Sequence, residues 1–81
     1  SRYYLVKTHL PLVRLIARRF ANSGNDLSEL IAAGNEALVK ASLRFNPNKE
    51  LSHHLNSRKL TKFGTYASVW IRGAMRKVDP I

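Results

Sequence analysis

A chain of 81 residues makes one small domain with a modest core, and 44% hydrophobic against 23% charged residues excludes wholesale disorder. Fourteen Lys and Arg against five Asp and Glu leave a net charge of +9, which points to a polyanionic partner: nucleic acid first, an acidic membrane surface second. The absence of cysteine excludes disulfides and thiolate metal sites and fits a cytoplasmic setting.

Three helical segments are predicted, and nothing alternates with strand period. The fold class is therefore all-α: a small bundle of three main helices, read as a single domain over residues 1–81. The first segment runs from Tyr3 to Ala21. Val6, Leu10, Val13, Ala17 and Phe20 recur at spacings of four and three and make an apolar stripe. Pro11 interrupts that stripe and forfeits a backbone hydrogen bond, so a kink or restart is expected there. Arg14, Arg18 and Arg19 add to the positive total, and "NSGND" ends the segment with turn residues.

The second segment runs from Leu27 to Phe45. Asp26 is its expected N-cap, with Glu29 three residues on completing a capping box. Leu27, Leu30, Ile31, Gly34, Leu38, Ala41 and Phe45 form the face expected to be buried. Gly34 costs about 1 kcal/mol in a helix interior relative to Ala, so it predicts close approach of another helix. Pro47 stops the segment. The stretch "LSHHLNSRKLT", residues 51–61, is polar and basic and reads as a loop.

The third segment runs from Lys62 to Val78. At 100° per residue, Phe63, Ala67, Trp70, Ile71, Ala74 and Val78 share one arc, which reads as the core face. Lys62, Thr65, Tyr66, Val69, Arg72, Gly73 and Arg76 share another. That second arc carries three cations, one aromatic ring and no acid, whereas a solvated helix face ordinarily mixes both signs of charge. Arg and Lys gain from phosphates through charge and counterion release. A flat ring stacks on an unpaired base, worth about 1–3 kcal/mol. The combination suits single-stranded or opened nucleic acid better than closed duplex. Tyr66, on the polar arc, reads as ligand-facing. For Phe63, and at the arc's edge for Trp70, core packing outweighs base contact.

Catalytic readings find little support. The five carboxylates, Asp26, Glu29, Glu36, Glu50 and Asp79, are scattered. Glu29 and Glu36 lie seven apart on one helix side, but capping is the simpler use of Glu29. No Gly-rich phosphate loop is present, and no nucleophile has an obvious base. His53 and His54 are adjacent and would point in different directions, so no metal site is expected. His9 reads as a surface or capping residue. No enzymatic activity, cofactor, metal or small-molecule substrate is expected. No apolar run approaches the ~20 residues needed to cross a bilayer, no signal-peptide pattern opens the chain, and no membrane association is expected. A chain that opens on Ser1 and stops at Ile81 is expected to be a fragment of a longer protein.

Three stretches, "HLPLVRLIARRF" (9–20), "DLSELIAAGNEALVKASLRFNPNK" (26–49) and "KFGTYASVWIRGAMRK" (62–77), resemble the second region of bacterial sigma factors of the sigma-70 class. The combination F-x-T-Y-A-x-x-W-I-R at Phe63 to Arg72 is specific, and L-I-x-x-G-N-x-A-L at Leu30 to Leu38 supports it independently. The resemblance implies a transcription initiation domain. Its second helix docks on the clamp of core RNA polymerase, and its third recognises and helps open the −10 promoter element. Carried over by position, Tyr66 would stack on a flipped adenine of the non-template strand, and Phe63 and Thr65 would shape that region. Val69 and Trp70 would sit at the junction of duplex and opened strand. Arg72 and Arg76 would touch the upstream part of the element, and Lys62 its backbone. His9 and Leu12 match positions near the captured strand; Glu29, Ala32, Ala33 and Asn35 match polymerase-facing ones.

The sequence departs from the family's pattern in three places. Val69 stands where a second Trp is frequent, suggesting weaker support for the melted junction. Ala32 and Ala33 stand where Gln and Glu are common, which puts the strength of polymerase docking in doubt. Residues 50–61 form a basic insertion in the link to the third helix, by default a tolerated surface loop. Two other readings stay open. One is a helical module that engages polymerase or an anti-sigma factor without reading DNA. The other is a basic membrane-surface domain, weakened by apolar faces short enough for three helices to bury together.

Overall fold

The computed structural model describes residues 1–21, 24–46 and 62–80. It contains three α-helices: α1 (Arg2–Ala21), α2 (Leu27–Arg44) and α3 (Phe63–Arg76). Each packs on the other two, giving the all-α three-helix bundle that the periodicity predicts. No strand occurs among the described residues, and no helix among them is long and apolar enough to cross a membrane. The basic loop over 50–61, with His53 and His54, lies outside the described residues.

Helix α1 contributes Val13, Ile16 and Ala17 to the core, and α2 contributes Leu30, Ala37, Leu38 and Ala41. Phe63, Ala67, Ile71 and Met75 complete it from α3. Val6, Leu10 and Phe20 of the α1 stripe pack against this cluster while partly exposed. Ile16 shares their face, and the spacing argument passed over it. The tightest point is Gly34. A Cβ there would lie 2.7 Å from both Val13 Cγ1 and Met75 Cε, so the three helices meet where α2 has no side chain. This is the close approach that a glycine inside a helix predicts.

Several local expectations need correcting. Helix α1 continues through Pro11, so the restart expected there does not occur. Pro11 is exposed, and it has no N–H to give the Lys7 carbonyl one turn back. Asp26 does cap α2, but its carboxylate accepts from the Ser28 backbone N–H at 3.1 Å and from the Ser28 hydroxyl at 3.1 Å. Glu29 is exposed and forms no capping box with it. Leu27, expected in the core, is 40% exposed because it occupies the first turn of α2, at the edge of the bundle. Ser42 is the one buried polar side chain among the described residues, and its hydroxyl donates to the Val39 carbonyl at 2.7 Å. Gly24 takes the turn between α1 and α2 at φ +87°, a conformation open to glycine at little cost. Asn25 then donates to the Val78 carbonyl at 2.9 Å, tying that turn to the end of α3.

Candidate nucleic-acid interface

The outward arc of α3 is as the spacing predicts for its charged residues. Lys62, Thr65, Arg72 and Arg76 are exposed. Arg72 donates to the Ser68 hydroxyl at 3.3 Å, and no acid among the described residues pairs with it. Glu36–Lys40 on α2 is the sole ion pair among the described residues, so no described acid pairs with the cations of this arc. The N-terminus of α3 is unusual in the same sense. Lys62 occupies the N-cap without a side-chain cap hydrogen bond, and the first turn carries no acid. The N–H groups of that turn, which have no acceptor within the helix, and the Lys62 charge create a positive pole, the reverse of what helix stability favours.

Rings run from α1 across to α2 along this side of the bundle. His9 meets Phe63 edge-on at 4.9 Å between centroids, and Phe63 meets Phe45 at 5.3 Å. Phe45 lies 5.2 Å from Tyr66, and Tyr66 lies 6.2 Å from Trp70. The Arg44 guanidinium sits 5.4 Å from the Trp70 centroid, a cation–π contact that closes the row. Phe63 is buried at 7% exposure, so it braces the row from within and leaves the surface to its neighbours. Tyr66 and Trp70 are half-buried, and Trp70 lines a groove between α2 and α3. The full exposure that the polar arc suggested for Tyr66 is reduced because Phe45, just past the end of α2, packs against its ring.

A cleft of about 590 Å³ lies where α1 faces the start of α3. His9 and Leu12 line one side; Lys62, Thr65, Ser68 and Arg72 line the other. His9 is not simply a surface residue. Its Nδ1–H donates to the Leu5 carbonyl at 2.8 Å, since a carbonyl can only accept, and the edge bearing Nε2 lies over Gly64. Two cations, two hydroxyls and one imidazole thus converge on a space with no carboxylate in its lining.

The polymerase-matching positions divide. Glu29 and Ala32 are exposed on the outer face of α2, while Ala33 and Asn35 are half-buried. Ala33 lines a second groove of about 370 Å³ between α2 and α3, together with Val69, Trp70, Gly73 and Lys77. Val69 is 66% exposed, so a small side chain stands at the open edge of Trp70. Gly64, Ser68, Arg44 and Phe45 were not among the sequence-predicted site residues. Ser68 was discoverable, being three residues past Thr65 and four before Arg72 on one helix side. The reach of Arg44 to Trp70 has no local signal, because it spans two helices.

An all-α bundle whose third helix carries cations and rings and no acid has the architecture of a binding domain. The chain belongs to the sigma-70 region 2 family, whose profile matches residues 5–55. It is also 39% identical over 72 residues to the RNA polymerase principal sigma factor HrdD of Streptomyces coelicolor, and equally to that of Streptomyces viridifaciens. Those matches cover 89% of this chain. A continuous stretch of that length in 81 residues necessarily takes in Phe63 to Arg72, so the likeness extends to α3 beyond the family profile. The chain spans 19% of the length of these relatives.

Proposed function

We propose that this chain is the part of a transcription initiation factor that docks on core RNA polymerase and captures the non-template strand of the −10 promoter element. The observation that carries this reading is the α3 side on which a half-buried ring row adjoins cations that no described acid pairs with. The mechanism follows from that surface. A base cannot be read on all its edges while stacked, so it is taken out and held against a ring. Unstacking costs a few kcal/mol per step. Stacking on Tyr66 and phosphate contacts to Lys62, Arg72 and Arg76 offset that cost. Phe63 acts by supporting His9 and Phe45, and through Phe45 the ring of Tyr66. Thr65, His9 and Leu12 flank the cleft beside it. Trp70, with Val69 at its edge, stands at the junction between duplex and opened strand. Polymerase docking falls to α2, at Glu29 and Ala32 on its outer face and at the half-buried Ala33 and Asn35 beside them. The domain acts by binding, without chemistry of its own, in the cytoplasm where promoters and polymerase meet.

The test is binding of single-stranded −10-like DNA and a scrambled control, alone and with core polymerase, using Tyr66→Ala and Tyr66→Phe. Loss of the ring should remove about 1–3 kcal/mol of binding to the −10-like strand. Tyr66→Phe, which keeps a stacking face, should retain most of it.

A second reading has one observation in its favour. Val39 and Leu43 expose apolar surface on the outer face of α2, at 44% and 57%. That surface fits a module that engages polymerase or an anti-sigma factor without reading DNA. Equal binding of −10-like and scrambled strands, unchanged by Tyr66→Ala, would select this reading.

A further inference from the structure

The outward face of α1 is a second basic and aromatic surface, separate from the ring row. Helix α1 has 20 residues, five of them Arg or Lys, and not one acid. Lys7, Arg14 and Arg18 are exposed on the side turned away from Val13, Ile16 and Ala17. Beside them stand Tyr3 and Tyr4, at 74% and 65% exposure. The Lys7 ammonium lies 5.9 Å from the Tyr3 ring, and no ion pair among the described residues involves α1. Arg18 sits in the last turn, where a cation complements the helix dipole. Lys7 and Arg14 have no such structural use.

We infer that this face of α1 is a track for the phosphate backbone of DNA, engaged in addition to the α3 side. The inference rests on the DNA-reading function proposed above and extends its footprint across a second helix. Two observations select DNA as the occupant. Charge complementarity is the first: a run of cations with no acid among them carries no information for choosing one mixed-charge protein surface over another, but it suits a uniform polyanion. Spacing is the second. From Lys7 to Arg18 the helix advances about 16 Å at 1.5 Å per residue, a length over which duplex DNA presents roughly nine or ten phosphate charges. Contacts of this kind read no bases; they add affinity and fix orientation.

The experiment compares the 81-residue chain with a Lys7→Gln, Arg14→Gln, Arg18→Gln triple variant and with Tyr66→Ala. Affinity for −10-like and scrambled DNA, each as a duplex with one strand opened, is measured from 50 to 200 mM salt. Circular dichroism establishes that the variants keep the helical fold, as expected for exposed positions. Loss of three phosphate contacts lowers the slope of log K against log salt by about 2.7, so the wild type loses roughly 40-fold more affinity than the variant across that range. The ratio between −10-like and scrambled DNA stays unchanged. An unaltered slope overturns the inference. An anionic vesicle of phosphatidylglycerol, tested in parallel, separates the other polyanion. If the triple variant loses vesicle binding and keeps its DNA slope, the face serves a membrane and the inference fails. The two readings also fail separately. Tyr66→Ala without effect on sequence preference, beside a lowered slope in the triple variant, removes the base-capture proposal and leaves the α1 track standing.

Discussion

Two glycines inside helices should respond to alanine with opposite signs. In isolation each Gly→Ala change favours the helix by about 1 kcal/mol. At Gly73 a new Cβ meets nothing within 4 Å, so that gain survives almost whole. At Gly34 the same atom would stand 2.7 Å from Val13 Cγ1 and Met75 Cε, and 3.4 Å from Ile71 Cγ2. Met75 can swing its terminal methyl aside. Val13 is β-branched and fully buried, so relief there requires α1 itself to move. Overpacking of this kind costs typically about 1–3 kcal/mol. Set against the helix gain, Gly34→Ala should destabilise by about 1 kcal/mol, and Gly73→Ala should stabilise by a similar amount. For a domain of this size each kcal/mol moves Tm by roughly 4–8 °C, so the two variants should melt some 8–16 °C apart. Urea denaturation followed by circular dichroism measures both on one scale. Equal stabilisation by the two changes would mean that α1, α2 and α3 do not converge at Gly34, and the packing described here would be wrong.

Two further outcomes follow from the same geometry. Lys62→Asp supplies the missing N-cap and an acid at the positive end of α3, so it should raise stability by about 1 kcal/mol. The same change should weaken DNA binding, a divergence readable by pairing a thermal melt with a binding isotherm. Phe45→Ala removes a partly buried ring from between Phe63 and Tyr66 and should cost about 2 kcal/mol, some half of the full cost of a core Phe→Ala change. It should also reduce preference for the −10-like strand, which a filter-binding competition against scrambled DNA measures.

The helices and their inward faces were legible because apolar spacing at three and four residues is a local signal. Asp26, Gly34 and the cations of α3 were legible for a similar reason: each residue type has a narrow set of uses at a helix start, a close approach or a solvent face. Contacts between elements were less so. Phe45 reads in sequence as one more apolar residue of α2, whereas in space it stands between a buried ring and a half-buried one. Met75 lies on the inward side of α3, four residues from Ile71, yet the arc drawn through Trp70 and Ala74 passed it by. That α1 continues past Pro11 was not legible, because the cost of a proline inside a helix is weighed against packing that no local signal carries. The polymerase-facing positions carry no physical signature of their own in the chain; they came from the family likeness.

The ring row has a mechanical consequence. Phe45 is anchored just beyond the last turn of α2, yet its flank is the seat of Tyr66 on α3. Any partner that tilts α2 by even a small angle shifts that seat, and the phenol must follow or lose its backing. Grip on one helix and aim of the other are therefore geared together, so a factor resting free of its partner and one clamped upon it need not present the same hand to a strand.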